Sequence, residues 1–137
     1  MSETMTKTDG TATRLPGPLA AAAQAAYGKK ATEVTALDLR KVSSFTDYFL
    51  ICTAQNARQV RAVAEAIEEA LAQEDLKPAH TEGYERSGWV LLDYFDFVVH
   101  VFTADERRFY SLDRLWGSAE RIDVPDTAAG PGPAPAR

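Results

Sequence analysis

The run Asp47-Tyr-Phe-Leu-Ile-Cys-Thr53 is apolar at nearly every position. A strand with one wet face alternates apolar and polar residues; a strand without a polar phase is covered on both faces. A chain carrying such a segment needs a layer on each side of a sheet, and its neighbours supply candidate helices. Asn56 is placed to cap the next element. Val60, Val63, Ala64, Ile67 and Leu71 then share one stripe, while Arg58, Arg61, Glu65, Glu68 and Glu69 occupy the rest, which predicts an amphipathic helix.

Upstream, Pro16-Gly-Pro18 introduces a first helix in which Leu19, Ala22, Ala23, Ala26 and Tyr27 recur at helical spacing and Gly28 offers a stop. Glu33 to Leu39 reads as a short strand around Val34 and Leu37. Downstream, His80 to Gly83 reads as a short strand after Pro78. Gly88 to Asp93 and Asp96 to Phe102 read as a hairpin joined through Tyr94 and Phe95. Ala104 to Trp116 closes the pattern as one helix, with Phe109, Leu112, Leu115 and Trp116 expected to face inward and Gly117 to end it. The sum is an α/β single domain: three helices and a mixed five-stranded sheet. A right-handed crossover through residues 47–83 is expected to join parallel strands. No internal repeat occurs.

Of the 137 residues, 1–16 are Thr-rich without apolar periodicity, and 123–137 form a Pro/Ala/Gly tail. Neither buries enough surface to offset chain entropy, so both are expected to be disordered arms around a domain at 17–122. No run of about 18 apolar residues exists to span a membrane. The single cysteine, Cys52, excludes an internal disulfide framework and fits a reducing compartment. The expectation is a cytoplasmic protein. A net charge of −5, with Lys and Arg scattered along the chain, opposes binding to a phosphate backbone and suits a basic protein partner or a small ligand. No sequence-specific nucleic acid is expected.

Catalytic constellations are sparse. Asp47, Asp93 and Asp96 are the one carboxylate set that could converge on a divalent metal for nucleotidyl transfer. The same residues are better explained as ending a link and bracketing a turn, where Asp is favoured, and no Gly-rich phosphate loop accompanies them. His100 sits among Val98 and Phe102 at strand spacing, which favours a hydrogen-bonded structural or interface histidine over a metal ligand. His80 and Cys52 are too isolated for zinc. No nucleophile is singled out, so neither catalytic residues nor a cofactor or metal are expected.

The aromatic set says more. Trp89 and Leu91 lie on one face of their strand, Val90 and Leu92 on the other, so both faces are apolar. Either helices cover both faces and Trp89 is core, or one face keeps Trp89 as an apolar patch rimmed by acids such as Glu82 and Asp96. The second arrangement is typical of a binding surface.

At these residues the chain resembles the ribosomal silencing factor family, also called RsfS or Iojap. The matching pieces run in the family's order. They are Ala36-Leu-Asp-Leu39, Thr46 through Thr53, Arg58-Gln-Val60, Glu82-Gly83, Trp89 through Tyr94, Asp96 through Phe102, and Arg107-Arg-Phe-Tyr110 on to Leu115-Trp116. The resemblance covers about residues 19 to 117. It implies a nucleotidyltransferase-like fold without demonstrated catalytic machinery, and a translation repressor. Such a repressor binds the large ribosomal subunit through its fourteenth ribosomal protein and sterically blocks joining of the small subunit. Homodimers are common in the family. The resemblance carries over Trp89, Asp93, Asp96, His100 and Tyr110 as interface or interface-supporting residues, with Glu82 and Arg108 beside them. The divalent-dependent nucleotidyltransferase using Asp47, Asp93 and Asp96 is the alternative. Two positions depart from the family, which commonly has Gly where this chain has Ala54 and Phe95.

Overall fold

A computed structural model describes residues 15–85 and 88–127. In chain order the elements are α1 (Gly17–Gly28), β1 (Thr32–Asp38), β2 (Tyr48–Ala54), α2 (Ala57–Ala72), β3 (His80–Glu82), β4 (Trp89–Asp93), β5 (Phe97–Thr103), α3 (Ala104–Tyr110), α4 (Leu112–Leu115) and β6 (Glu120–Asp123). The strands form one six-stranded sheet in the order β3-β4-β5-β2-β1-β6.

The mixed α/β single domain is as the sequence predicts, with one more strand than expected. All seven residues of β2 are buried, as a strand between two layers must be. On α2 the buried residues are Val60, Val63, Ala64, Ile67 and Leu71, and Asn56 accepts a hydrogen bond from the Gln59 backbone N–H as its N-cap. Leu19, Ala22, Ala23 and Ala26 of α1 are buried as well.

Two expectations are corrected. The sixth strand, β6, pairs antiparallel with β1 through Ala36 and Ile122. Its sequence, Glu-Arg-Ile-Asp, carries one inward apolar residue, too little to show a period. β2 pairs in parallel with β5, and β3 and β4 add to the far side of β5 as antiparallel neighbours. The passage from β2 through α2 to β3 therefore joins strands that run parallel, as expected, with β4 and β5 lying between them. Finally, Ser111 adopts a left-handed conformation (φ 50°, ψ 47°) and divides the last helix into α3 and α4. That break rotates Phe109 and Leu115 outward, where 79% and 71% of their surface is exposed, while Leu112 and Trp116 pack against the sheet as expected.

Packing also extends past 17–122 at both ends. Leu15 and Val124 are buried. The Tyr27 hydroxyl donates to the Val124 carbonyl, Gln24 donates to the Pro125 carbonyl at 3.0 Å, and the Thr127 N–H donates back to Gln24 at 3.1 Å. Residues 1–14 of the expected N-terminal arm and 128–137 of the expected tail lie outside the described residues.

The two sheet faces are unequal. α1 and α2 seal one face over Leu50, Cys52, Val90, Leu92, Val99 and Val101. The other carries Leu37, Phe49, Ile51, Val98 and Phe102 under only the short α3 and α4, with Trp89 and Leu91 half-buried at its margin. The hairpin tip follows from the same geometry. Tyr94 is buried, while Phe95 has φ 72° and is 72% exposed. A side chain at positive φ is strained and glycine is not, so the Gly that the resemblance implies at this position would relieve that strain.

Candidate functional site

Alternation along β4 puts Trp89, Leu91 and Asp93 on the thinly covered face, and the register sets them beside His100, Phe102 and Val98 of β5. On the other side, β3 aligns His80 with Asp93 and Glu82 with Leu91. The margin of this face is therefore aromatic at one end and acidic along its edge.

Trp89 links the layers. Its indole N–H donates to His100 Nδ1 at 3.1 Å, and its ring lies 4.8 Å from Phe102 and 4.6 Å from Tyr110 between centroids. His100 is buried and stands edge-on to Phe49 at 4.5 Å. Burial lowers its pKa to about 3, so the ring is neutral. Because Nδ1 accepts from Trp89, the proton resides on Nε2, which has no hydrogen-bond partner among the described residues. The residue is thus a buried support for Trp89.

The remaining sequence-derived positions spread along the margin. Tyr110 is exposed and leans on Trp89. Glu82 is exposed and bonded to His80 at 2.7 Å. Asp93 accepts from the Phe95 N–H at 2.9 Å, about 13 Å along β4 from Trp89. Asp96 is exposed at the hairpin tip. Arg108 is exposed and paired with Asp105. Trp89, His100, Tyr110 and Glu82 therefore come together, whereas Asp93 and Asp96 occupy the opposite end of the hairpin and Arg108 turns outward.

Trp89, Tyr110, Glu82, Gly83, Gly88 and Glu106 line a cleft of about 290 Å³. Gly83 has φ 96°, and a Cβ there would meet the Trp89 carbonyl oxygen at 2.0 Å. Neither strain can be relieved without moving β3 off β4. Gly83→Ala is accordingly expected to destabilise the fold by about 2 kcal/mol, measured by urea unfolding; an unchanged midpoint would show that β3 tolerates the shift.

Two site-forming residues escaped the sequence reading. Glu106 enters the cleft because Thr103 caps α3, accepting from the Glu106 N–H at 3.3 Å; the pattern Thr103-Ala-Asp-Glu106 carried that signal. Arg107, buried, donates to Asp113 at 2.8 Å, to the Glu33 carbonyl at 2.6 Å and to Thr53 Oγ1 at 2.9 Å. It fastens α3, and with it Tyr110, to β1 and β2. Asp113 is partly buried, which raises its pKa, but Arg107 bonding and charge outweigh this and leave it lowered. The arginine's partners lie up to 74 residues away, so no local pattern marks it.

The alternative carboxylate site does not assemble. Asp47 and Asp96 meet through backbone, the Asp47 N–H donating to the Asp96 carbonyl at 3.0 Å. Among the described residues, no group of three or more His, Cys, Asp or Glu side chains is placed to hold a metal ion. Burial pushes the Cys52 thiol up to about 12 against the opposing charge of Arg107, so it is no ready nucleophile. Among the described residues no helix is long and apolar enough to cross a membrane.

Fold and site together define a small α/β module with one sealed sheet face and one aromatic, acid-rimmed face. The family model for "Ribosomal silencing factor during starvation" matches residues 13–136, and the chain belongs to that family. It is 40% identical over 103 residues to the ribosomal silencing factor RsfS of Halalkalibacterium halodurans, covering 75% of this chain and 88% of that protein. With RsfS of Bacillus subtilis it shares 41% identity over 103 residues, covering 75% and 87%. A crystal structure of a Chromobacterium violaceum protein superposes with a TM-score of 0.69 at 32% identity, covering 71% of this chain and 81% of that one.

Proposed function

We propose that this protein represses translation by binding the large ribosomal subunit through its fourteenth ribosomal protein, so that the small subunit cannot join. The observation that carries the reading is an aromatic, acid-rimmed sheet face in a member of the ribosomal silencing factor family. Family membership supplies the ribosome as target. The face supplies the chemistry: Trp89 and Tyr110 as apolar anchors, Glu82, Asp93 and Asp96 as carboxylates suited to a basic protein, His100 as the support beneath Trp89, and Arg108 at the rim. Aromatic anchors ringed by polar groups concentrate binding energy, and the net charge of −5 favours encounter with a basic surface over bare RNA. A cytoplasmic protein that forms homodimers belongs to the same reading, and no catalytic step or cofactor is invoked.

The test is sedimentation of purified large subunits with the protein, followed by small subunits. Joined ribosomes are expected to decline as the protein approaches saturation, and Asp96→Lys to weaken binding about tenfold, the scale of one charged contact reversed at a rim. Full subunit joining at saturating protein sinks the reading.

A further inference from the structure

The cleft beside Trp89 is built for more than apolar contact. Two carboxylates, Glu82 and Glu106, flank it, two aromatic rings, Trp89 and Tyr110, form its apolar side, and among the described residues its lining includes no cationic side chain. The exposed Glu82 is, among the described residues, shared only with His80. Among the described residues, no cation lies within ion-pair distance of Glu106. Gly88 makes room for that carboxylate, since a Cβ there would meet Glu106 Cγ at 2.5 Å and Cδ at 2.9 Å.

We propose that this cleft is a receptor for a single arginine side chain of the basic partner, gripped by Glu82 and Glu106 and stacked on the Trp89–Tyr110 pair. The inference rests on the ribosome-binding reading and specifies its partner chemistry. Lysine would satisfy the charge, but a guanidinium also lies flat on an aromatic face and forks its N–H donors between two carboxylates. The geometry also accounts for Gly88: any side chain there displaces Glu106 without changing its charge.

The experiment titrates the full-length, ¹⁵N-labelled protein with N-acetylarginine amide and, as a neutral isostere, N-acetylcitrulline amide. Saturable shifts of the Trp89 indole N–H and the Gly88 amide are expected with arginine and not with citrulline. Glu82→Gln combined with Glu106→Gln is expected to weaken that binding about tenfold, the loss typical of a charge-assisted hydrogen bond. Gly88→Ala is expected to weaken it while leaving the urea midpoint in place, because only a flexible side chain must move. Absence of shifts at Trp89, or equal shifts with citrulline, overturns the proposal. Affinity of the double variant for large subunits separates the two readings. A natural protein that binds subunits and a double variant that binds equally well overturn the arginine receptor and leave the repressor intact. A natural protein that shows the arginine shifts but ignores large subunits removes the ribosome reading and keeps the cleft.

Discussion

Acidifying this protein from pH 7 to pH 4 is expected to lower its unfolding free energy by about 3 kcal/mol through His100 alone. The imidazole is buried between Phe49, Trp89 and Phe102, and among the described residues no carboxylate lies against it to hold a proton. Desolvation takes its pKa from 6.5 down to about 3. Between those values the unfolded chain carries the proton and the folded chain does not. The contribution is therefore complete above pH 6.5 and is lost as pH falls toward 3, at about 1.4 kcal/mol per pH unit. Asp113, whose pKa is lowered chiefly by Arg107 against the opposing effect of burial, adds its own loss in the carboxylate range and below. Urea unfolding at pH 7, 6, 5 and 4 measures the slope. His100→Gln, whose amide oxygen can still accept from the Trp89 indole, isolates it. The natural protein should steepen below pH 6.5 and the variant stay nearly flat to about pH 5; parallel curves would mean His100 is charged or hydrated in the fold.

Such a residue was legible in the sequence as a structural histidine because strand spacing placed it between Val98 and Phe102. The same kind of signal fixed β2, α2 and the β4–β5 hairpin, where a dominant apolar period leaves one way to bury the residues. It failed where position is set by something other than period. Ser111 breaks the final helix through a backbone conformation that no residue type announces, and the break exposes Phe109 and Leu115 although their spacing reads as inward. β6 contributes one buried residue, Ile122, and exists because β1 offers it an edge. Of the candidate site, Trp89, Tyr110, Glu82 and His100 were readable and do converge. Arg107 was not, because its role depends on Glu33, Thr53 and Asp113 meeting in three dimensions.

Trp89→Ala is expected to cost about 3–4 kcal/mol of stability, as removal of a large packed aromatic does. Two losses combine in that value. The ring contacts with Phe102 and Tyr110 disappear, and His100 Nδ1 loses its donor in a site shielded from water. Trp89→Phe restores the first and not the second, so it should cost about 1–2 kcal/mol, the penalty of an unsatisfied buried polar atom. A double-mutant cycle between Trp89→Phe and His100→Phe then reads the hydrogen bond directly, with an expected coupling near 1 kcal/mol. The comparison decides what a binding defect means. Trp89→Ala would weaken ribosome binding either by removing an anchor or by loosening the face that presents Tyr110 and Glu82. Trp89→Phe keeps the face packed and most of the anchor's apolar area. If it binds large subunits nearly as well as the natural protein, Trp89 acts through contact area. If binding drops in step with the lost hydrogen bond, its part is to hold the face in register. A stability loss below 1 kcal/mol in Trp89→Ala would contradict the packing described above and leave direct contact as its sole role.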